Sequence, residues 1–404
     1  MSTPQRILFL ASTFPRWADD TMPPFIYLLA AQLQKLGLEI HVLAPHAPGA
    51  SLSEQMGAVT VHRFRYAPVG LQSLAYGRGM LDNLREQPLR WLQLPGFLVS
   101  MAWNLIRLHR RYQFSVLHVH WIVPQGLVTA LVSHFLSVPT LLSAHGSDVY
   151  ACGKGLRGVL MRFAARRHDT VSVNSVPMQA ELSRLCGMTP CIVPMGVDVS
   201  RFRNSSPAAC AAANPTILFV GRLAEIKGVR YLINALPLIR QHHPGARILI
   251  IGDGAERHEL ERLATEQGLS ESIDFTGAVP NDELPAYYRA ADVFVAPSVV
   301  ARSGETEALG VVLLEAAATA LPIVSTNVGG TGDIVKHERT GLRVAERSAE
   351  EIAAAVTKLL SDPEYGKKLG AAAQAHVQEH YGWQTIAQRF AGIYAELSGA
   401  KFTQ

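Results

Sequence analysis

Short, unbroken apolar runs alternate along this chain with amphipathic stretches at helical spacing. Residues 6–12 carry Ile-Leu-Phe-Leu and read as a buried strand; 25–36 reads as a helix stopped by Gly37; 39–44 and 59–64 read as the next strands. A run with no polar alternation marks a strand covered on both faces, as in parallel sheets. Strand, helix, strand is the opening of a doubly wound sheet. Further strands fall at 115–120, 140–143, 171–174 and 190–194, with a helix at 125–137. Residues 201–215, rich in Asn, Ser, Pro and Ala, read as a linker. The pattern then restarts, with strands at 216–220, 247–251, 272–276, 292–296 and 321–325. Helices follow Gly254 to 267 and occupy 281–290 and 308–320; beyond Gly341 the chain reads as helices at 349–360, 363–380 and 383–398. The expected class is therefore α/β, two Rossmann-like doubly wound domains facing across a cleft.

Two stretches invite a membrane reading. Residues 89–111 form a long helical pattern, interrupted by Pro95 and Gly96, rich in Trp and Leu and ending in Arg107, Arg110 and Arg111. That pattern suits a membrane-surface helix, and equally a core-facing helix whose basic C-terminus complements its dipole. Residues 121–147 are almost uncharged, but Pro124, His134 and Pro139 break them into helix, turn and strand rather than a span.

Composition adds an asymmetry. Of 404 residues, 48% are hydrophobic and 17% charged, as in a soluble globular protein. Residues 1–200 hold 17 Lys and Arg against 10 Asp and Glu, and residues 201–404 hold 20 against 23. A basic first half points to an anionic partner such as a lipid surface, or to scattered surface arginine; nothing points to nucleic acid. Cys152, Cys186, Cys191 and Cys210 show neither metal-ligand spacing nor the density of a disulfide scaffold, as expected of a reducing cytoplasm. Met1 to Arg6 runs straight into an apolar strand, so no signal peptide is expected.

The candidate chemistry falls at strand C-terminal ends. After the strand at 140–143 comes Ala144-His145-Gly-Ser-Asp148, in which His145 is a hydrogen-bond donor to an anion or a turn residue beside an Asp cap. After 216–220 comes Gly221-Arg222-Leu-Ala-Glu-Ile-Lys227-Gly228, two cations framed by glycines, as a diphosphate clamp requires. Gly252-Asp-Gly254 is as readily a turn as a nucleotide contact. After 292–296 comes Ser303 to Thr326, with Gly310 at the mouth of a helix whose free N–H groups and dipole suit a phosphate. Glu307 and Glu315 stand eight residues apart, ~12 Å along the axis if that interval is helical. Cations and N–H groups for a diphosphate, with carboxylates for hydroxyls, describe a sugar-nucleotide site.

Glu307-x7-Glu315 around Gly310, with Gly221-Arg222 and Lys227-Gly228, resembles the retaining GT-B glycosyltransferases of family four. The resemblance runs over almost the whole chain, through Val119-His120, His145-Gly-Ser-Asp148, Met195-Gly-Val-Asp198, Gly252-Asp-Gly254 and the closing helix. It implies the GT-B fold, with an acceptor-side domain at 1–200, a nucleotide-sugar domain at 201–382, and a helix at about 383–404 crossing back to the first. It implies that Arg222 and Lys227 bind the donor diphosphate and stabilise its leaving charge. Glu307 would hold hydroxyls of the donor sugar, Glu315 those of the ribose. The backbone at Gly310 and Val311 would meet phosphate, and His145 the donor sugar or phosphate. Gly252, Gly254 and Val279 would complete the nucleotide pocket. The donor would be a nucleoside-diphosphate sugar, uridine being the commoner base and guanosine the alternative. The acceptor would be a carbohydrate or a lipid-linked chain, in surface or exopolysaccharide assembly. No Asp-x-Asp occurs, so no catalytic metal is expected, with cations and a helix dipole serving instead. The expected place is the cytoplasm, including the inner face of the plasma membrane.

Two segments depart from the family pattern. The loop 14–25 lacks a Gly-Gly pair, and Gly329-Gly-Thr-Gly-Asp333 lacks the usual Pro-Glu. Two other functions remain open at this point: a two-domain sugar-nucleotide epimerase or phosphorylase, and a non-catalytic nucleotide-sugar binder.

Overall fold

A computed structural model describes residues 5–17, 20, 25–77, 79–150, 155–204 and 214–399. Asp19, Pro23 and Pro24 of the first loop, Cys152, Cys210, and most of the 201–215 linker lie outside the described residues. The chain separates into two compact units. The first comprises Met1–Asn174, Gln179–Val193 and Ile386–Gln404; the second comprises Ser175–Met178 and Pro194–Thr385.

The first unit is built on β1 (Arg6–Leu10), β2 (Glu39–Pro45), β3 (Ser53–Met56), β4 (Val59–Phe64), β5 (Val116–His120), β6 (Thr140–Ser143), β7 (Thr170–Val173) and β8 (Cys191–Ile192). Their order in the sheet is β3-β4-β2-β1-β5-β6-β7-β8. All neighbours are parallel except β3, which pairs antiparallel with β4 as an edge hairpin. The sequence pattern misses β3 because Ser-Glu-Gln-Met has no apolar run to announce it. The helix Leu94–Tyr112 buries Phe97, Met101, Leu105 and Leu108, a stripe at helical spacing. Pro95 does not interrupt it: it sits in the first turn, where its missing N–H costs nothing, and a 3₁₀ turn, Pro88–Gln93, precedes it.

The second unit carries β9 (Thr216–Val220), β10 (Arg247–Ile251), β11 (Ile273–Gly277), β12 (Val293–Ala296), β13 (Ile323–Thr326) and β14 (Leu342–Val344). They are ordered β11-β10-β9-β12-β13-β14 and paired parallel throughout. Both faces are covered. Ile217, Phe219, Ile248 and Ile250 enter one apolar cluster; Leu218, Val220, Leu249 and Ile251 enter the other. That two-sided burial is why these strands show no polar alternation. The residues at 201–204 are not linker but the end of a helix, Val199–Asn204, whose start Asp198 caps by accepting from the Arg201 N–H at 3.1 Å.

The closing helix Trp383–Ser398 begins in the second unit and from Ile386 onward belongs to the first. There the Tyr394 hydroxyl meets Nδ1 of His118 on β5 at 2.7 Å. Among the described residues no helix is long and apolar enough to cross a membrane.

Candidate active site

Strand order reverses direction at β9 and β12 in the second unit, and loops leaving the carboxyl ends of such neighbours part to leave a crevice. The two loops here are stitched together by the Val299 N–H, which donates to the Ile226 carbonyl at 2.9 Å. A 3₁₀ turn, Glu225–Lys227, then aims Lys227 at the loop after β12. Lys227 Nζ donates to Glu307 Oε2 at 2.5 Å, with side chains 16% and 13% exposed. Lys227, Glu307, Gly310 and Thr331 line one small pocket.

The helix beyond starts at Val311, not at 308. Gly310, at φ +88, breaks the geometry, and no side chain caps the helix that follows it, Val311–Ala318. An uncapped helix start with its N–H groups directed into a pocket is suited to an anion. The helical interval expected between Glu307 and Glu315 therefore fails in its first half, and the 12 Å estimate with it.

Glu315 lies on that helix. Its carboxylate accepts from the Tyr288 hydroxyl at 2.8 Å. Burial pushes its pKa up to about 7, while the Tyr288 hydrogen bond and the charge of Arg201 act in the opposite sense. Part of the residue still meets solvent; the carboxyl end is the part held in protein. Arg201 also donates to the Asn281 carbonyl. Tyr288 and Arg201 are site residues that sequence reasoning misses, since one reads as a helix residue and the other as linker. Val279, partly buried, packs on the same cluster as Tyr288.

Arg222 is exposed at the head of the β9 loop. Gly252 and Gly254 brace that loop. A Cβ on Gly252 would come 2.0 Å from the Gly221 carbonyl, and one on Gly254 would come 2.2 Å from that of Leu223. The Leu223 N–H in turn donates to the Asp253 carbonyl at 2.9 Å. These glycines allow the close approach of two backbones, and so set the place of Arg222.

The pair Gly329-Gly330 stands out in the sequence only as a departure from pattern, yet it holds the Glu307 loop. The Gly330 N–H donates to the Glu307 carbonyl at 2.9 Å. A Cβ on Gly329, at φ +52, would lie 1.8 Å from the same oxygen. Asp333, next in that segment, accepts from the Val176 N–H at 2.7 Å.

His145 belongs to the first unit, just past β6. Asp148 fixes its turn, accepting from the N–H groups of His145 (3.0 Å), Gly146 (2.9 Å) and Ile122 (3.0 Å). This is the Asp-capped turn, and it also gives His145 a set direction. The ring packs against Phe25 and Trp121, and Nε2 lies 3.0 Å from Nδ1 of His120. Burial drives the His145 pKa down to about 3 and that of His120 well below the ordinary value, so both rings are neutral. Among the described residues, His145 Nδ1 and His120 Nε2 have no partner. One ring of the pair donates to the other, which leaves one further N–H on the neutral pair, at His145 Nδ1 or at His120 Nε2. No cluster of three or more His, Cys, Asp or Glu among the described residues is arranged to hold a metal ion.

A GDP-mannose-dependent alpha-(1-6)-phosphatidylinositol monomannoside mannosyltransferase of Mycobacterium tuberculosis (strain ATCC 25618 / H37Rv) is 36% identical over 263 residues, covering 62% of this chain and 68% of that protein. The chain belongs to the GT-B glycosyltransferases of family four. The profile described as Glycosyltransferase Family 4 matches residues 24–201 of this glycosyltransferase, and that described as Glycosyl transferases group 1 matches 203–376. A putative teichuronic acid biosynthesis glycosyltransferase, TuaC of Bacillus subtilis (strain 168), is 27% identical over 95% of this chain and 99% of its own. The fold is shared with a sucrose-phosphate synthase from Thermosynechococcus elongatus, with a TM-score of 0.78 at 24% identity, covering 98% of this glycosyltransferase and all of that chain.

Proposed function

We propose that this glycosyltransferase moves a sugar, with retention of anomeric configuration and without a metal, from a nucleoside-diphosphate sugar to a carbohydrate or lipid-linked acceptor in cell-surface polymer assembly. The observation that carries the reading is the Lys227–Glu307 ion pair at the mouth of an uncapped helix. A diphosphate seated at Gly310 and Val311 receives backbone N–H groups and the Lys227 ammonium, with Arg222 supplying a second cation. As the bond to the sugar breaks, negative charge grows on the leaving phosphate. Fixed cations and a helix dipole stabilise that charge without reorganising. Glu307, freed from Lys227 by the incoming phosphate, accepts from hydroxyls of the donor sugar. Glu315 takes the ribose hydroxyls, and the neutral ring of His145 contacts the donor sugar or phosphate. Retention follows if the acceptor attacks on the face that the diphosphate leaves, its proton passing to the departing phosphate oxygen.

The mycobacterial relative's name gives GDP-mannose and a phosphatidylinositol monomannoside, and the Bacillus relative's gives teichuronic acid biosynthesis. Both names support a lipid-linked or surface-polymer acceptor. The test is a thermal-shift panel of uridine and guanosine diphosphate sugars with a chelator present, because a ligand bound only by the native state raises its melting temperature. The donor that stabilises the protein is then incubated with lipid-linked acceptors and the product's anomeric configuration read by NMR. Failure of every nucleotide sugar to stabilise the chain, or an inverted product, overturns the reading.

A further inference from the structure

Apolar side chains on the surface of this glycosyltransferase are not evenly spread. Of fifteen large apolar residues standing exposed among the described residues, nine lie between Leu89 and Val159, and Val176 and Val300 are the ones beyond. Scattered single exposures are ordinary; a concentration is not.

The helices that carry them are neighbours. Leu94–Tyr112 packs on Leu127–Leu136, which packs on Gly155–Arg166. On the first, Val99 and Trp103 stand one turn apart, opposite the buried stripe Phe97, Met101, Leu105 and Leu108. On the second, Leu131 and Phe135 repeat the spacing, and on the third Leu156 and Val159 nearly so. Trp103 is 67% exposed and Phe135 84%. Residues four apart share a face, so each helix presents an apolar outer stripe.

Charge decides what covers this face. From Gln87 to His168 the sequence holds nine Lys and Arg and one carboxylate, Asp148. That carboxylate is buried and engaged with backbone N–H groups. The outer stripe of Leu94–Tyr112 continues from Trp103 into Arg107 and Arg110, both exposed, and Arg157 stands exposed beside Leu156. Apolar side chains bordered by arginine, with no surface acid between them, match a layer whose outside is anionic and whose inside is hydrocarbon. Tryptophan favours the boundary of such a layer, and arginine stems reach from it to the head groups.

We propose that this face of the first unit docks on an anionic lipid bilayer, with Trp103 and Phe135 entering the interface and Arg107, Arg110 and Arg111 pairing with lipid phosphates. The proposal rests on the reading of a lipid-linked acceptor for its purpose, and on the exposed residues alone for its geometry.

The test uses the full chain with vesicles of phosphatidylcholine alone or mixed with phosphatidylglycerol. The protein is expected to sediment with the mixed vesicles at low salt, to be released as salt rises, and to stay in solution with phosphatidylcholine alone. Trp103→Ser with Phe135→Ser is expected to weaken binding about tenfold or more, and Arg107→Gln with Arg110→Gln and Arg111→Gln to abolish the preference for anionic lipid. These positions lie on the surface, and a retained donor-induced thermal shift confirms that each variant is folded. Wild-type protein left in the supernatant with anionic vesicles overturns the proposal, as does equal sedimentation of the Trp103, Phe135 variant. A wild-type dimer in sedimentation velocity that the same variant dissolves also overturns it, since the face then joins two copies. Loss of the donor shift in every protein, with vesicle binding intact, sinks the proposed function and leaves the docking face standing.

Discussion

Lys227 and Glu307 lie eighty positions apart in sequence, and their side chains meet at 2.5 Å. On the proposed function each partner holds the other until a diphosphate and a sugar replace them.

Removing one partner leaves the other ionised and mostly shielded from water. Lys227→Ala is expected to cost about 1–3 kcal/mol of stability and to lower turnover by roughly a thousandfold or more. Glu307→Gln combined with Lys227→Ala is expected to recover part of the stability and none of the turnover. Urea titration and initial rates read the two separately. Full activity in Lys227→Ala would remove this pair from the mechanism.

Strand and helix periodicity makes most of the α/β pattern readable, because two-sided burial demands unbroken apolar runs. Lys227, Glu307 and Gly310 are legible as separate motifs, and the structure brings them to one pocket. Tyr288 and Arg201 are not legible. Their relation to Glu315 depends on a helix and a loop folding back from distant sequence, and neither residue sits in a patterned motif. Gly329 shows in the sequence only as an irregularity, because a backbone–backbone approach leaves no spacing rule there. The exposed stripe at Val99 and Trp103 is ambiguous for a different reason: the same helix also has a buried stripe, and periodicity alone cannot assign the second face.

Glu315 makes stability fall with pH. Burial raises its pKa in the folded protein from the ordinary 4.5 to about 7. Between those values the folded chain keeps a proton that the unfolded chain has released, so stability declines as pH rises through the window, by roughly 3 kcal/mol at most. Glu315→Gln is therefore expected to be more stable than wild type near about pH 8 and nearly equal to it near about pH 4. Donor binding by the carboxylate would draw the proton off, so wild-type donor affinity is expected to rise with pH over the same range. Urea melts and calorimetric donor titrations at the two pH values check both. A Glu315→Gln variant with unchanged pH dependence would show that another group titrates there.

The histidines of the first unit act in the opposite sense. Burial lowers His145 to about 3, and His118 and His120 also fall well below the ordinary value. Below about pH 6.5 the unfolded chain takes up protons that these folded rings refuse, so stability is lost as pH falls toward about 3. His120→Gln and His145→Gln are each expected to flatten that slope in circular-dichroism melts. Because His145 stays neutral, kcat/KM is expected to show no inflection from it between about pH 5.5 and 8. His145→Ala is expected to lower turnover roughly a hundredfold by removing its contact with the donor sugar or phosphate. An inflection near about 6.5 that vanishes in His145→Ala would mean that the ring is charged during turnover.

Gly329 offers the sharpest separation of positioning from stability. Its Cβ would lie 1.8 Å from the Glu307 carbonyl, at a φ of +52 that side chains rarely adopt. Gly329→Ala must therefore push the Glu307 loop away and break the bond from Gly330 N–H to that same carbonyl. Gly268, at φ +68, is a control with a comparable backbone, and a Cβ there would meet nothing within 4 Å. Both substitutions carry the conformational penalty of a left-handed residue, about 1 kcal/mol. Only Gly329→Ala moves the carboxylate that the proposed function assigns to the donor sugar. Its kcat/KM is expected to fall roughly a hundredfold, while Gly268→Ala keeps wild-type kinetics and loses less in urea midpoint, having only the conformational penalty to meet. Equal kinetics in the two variants would mean that the Gly329-Gly330 segment supports the fold and has no hold on the position of Glu307.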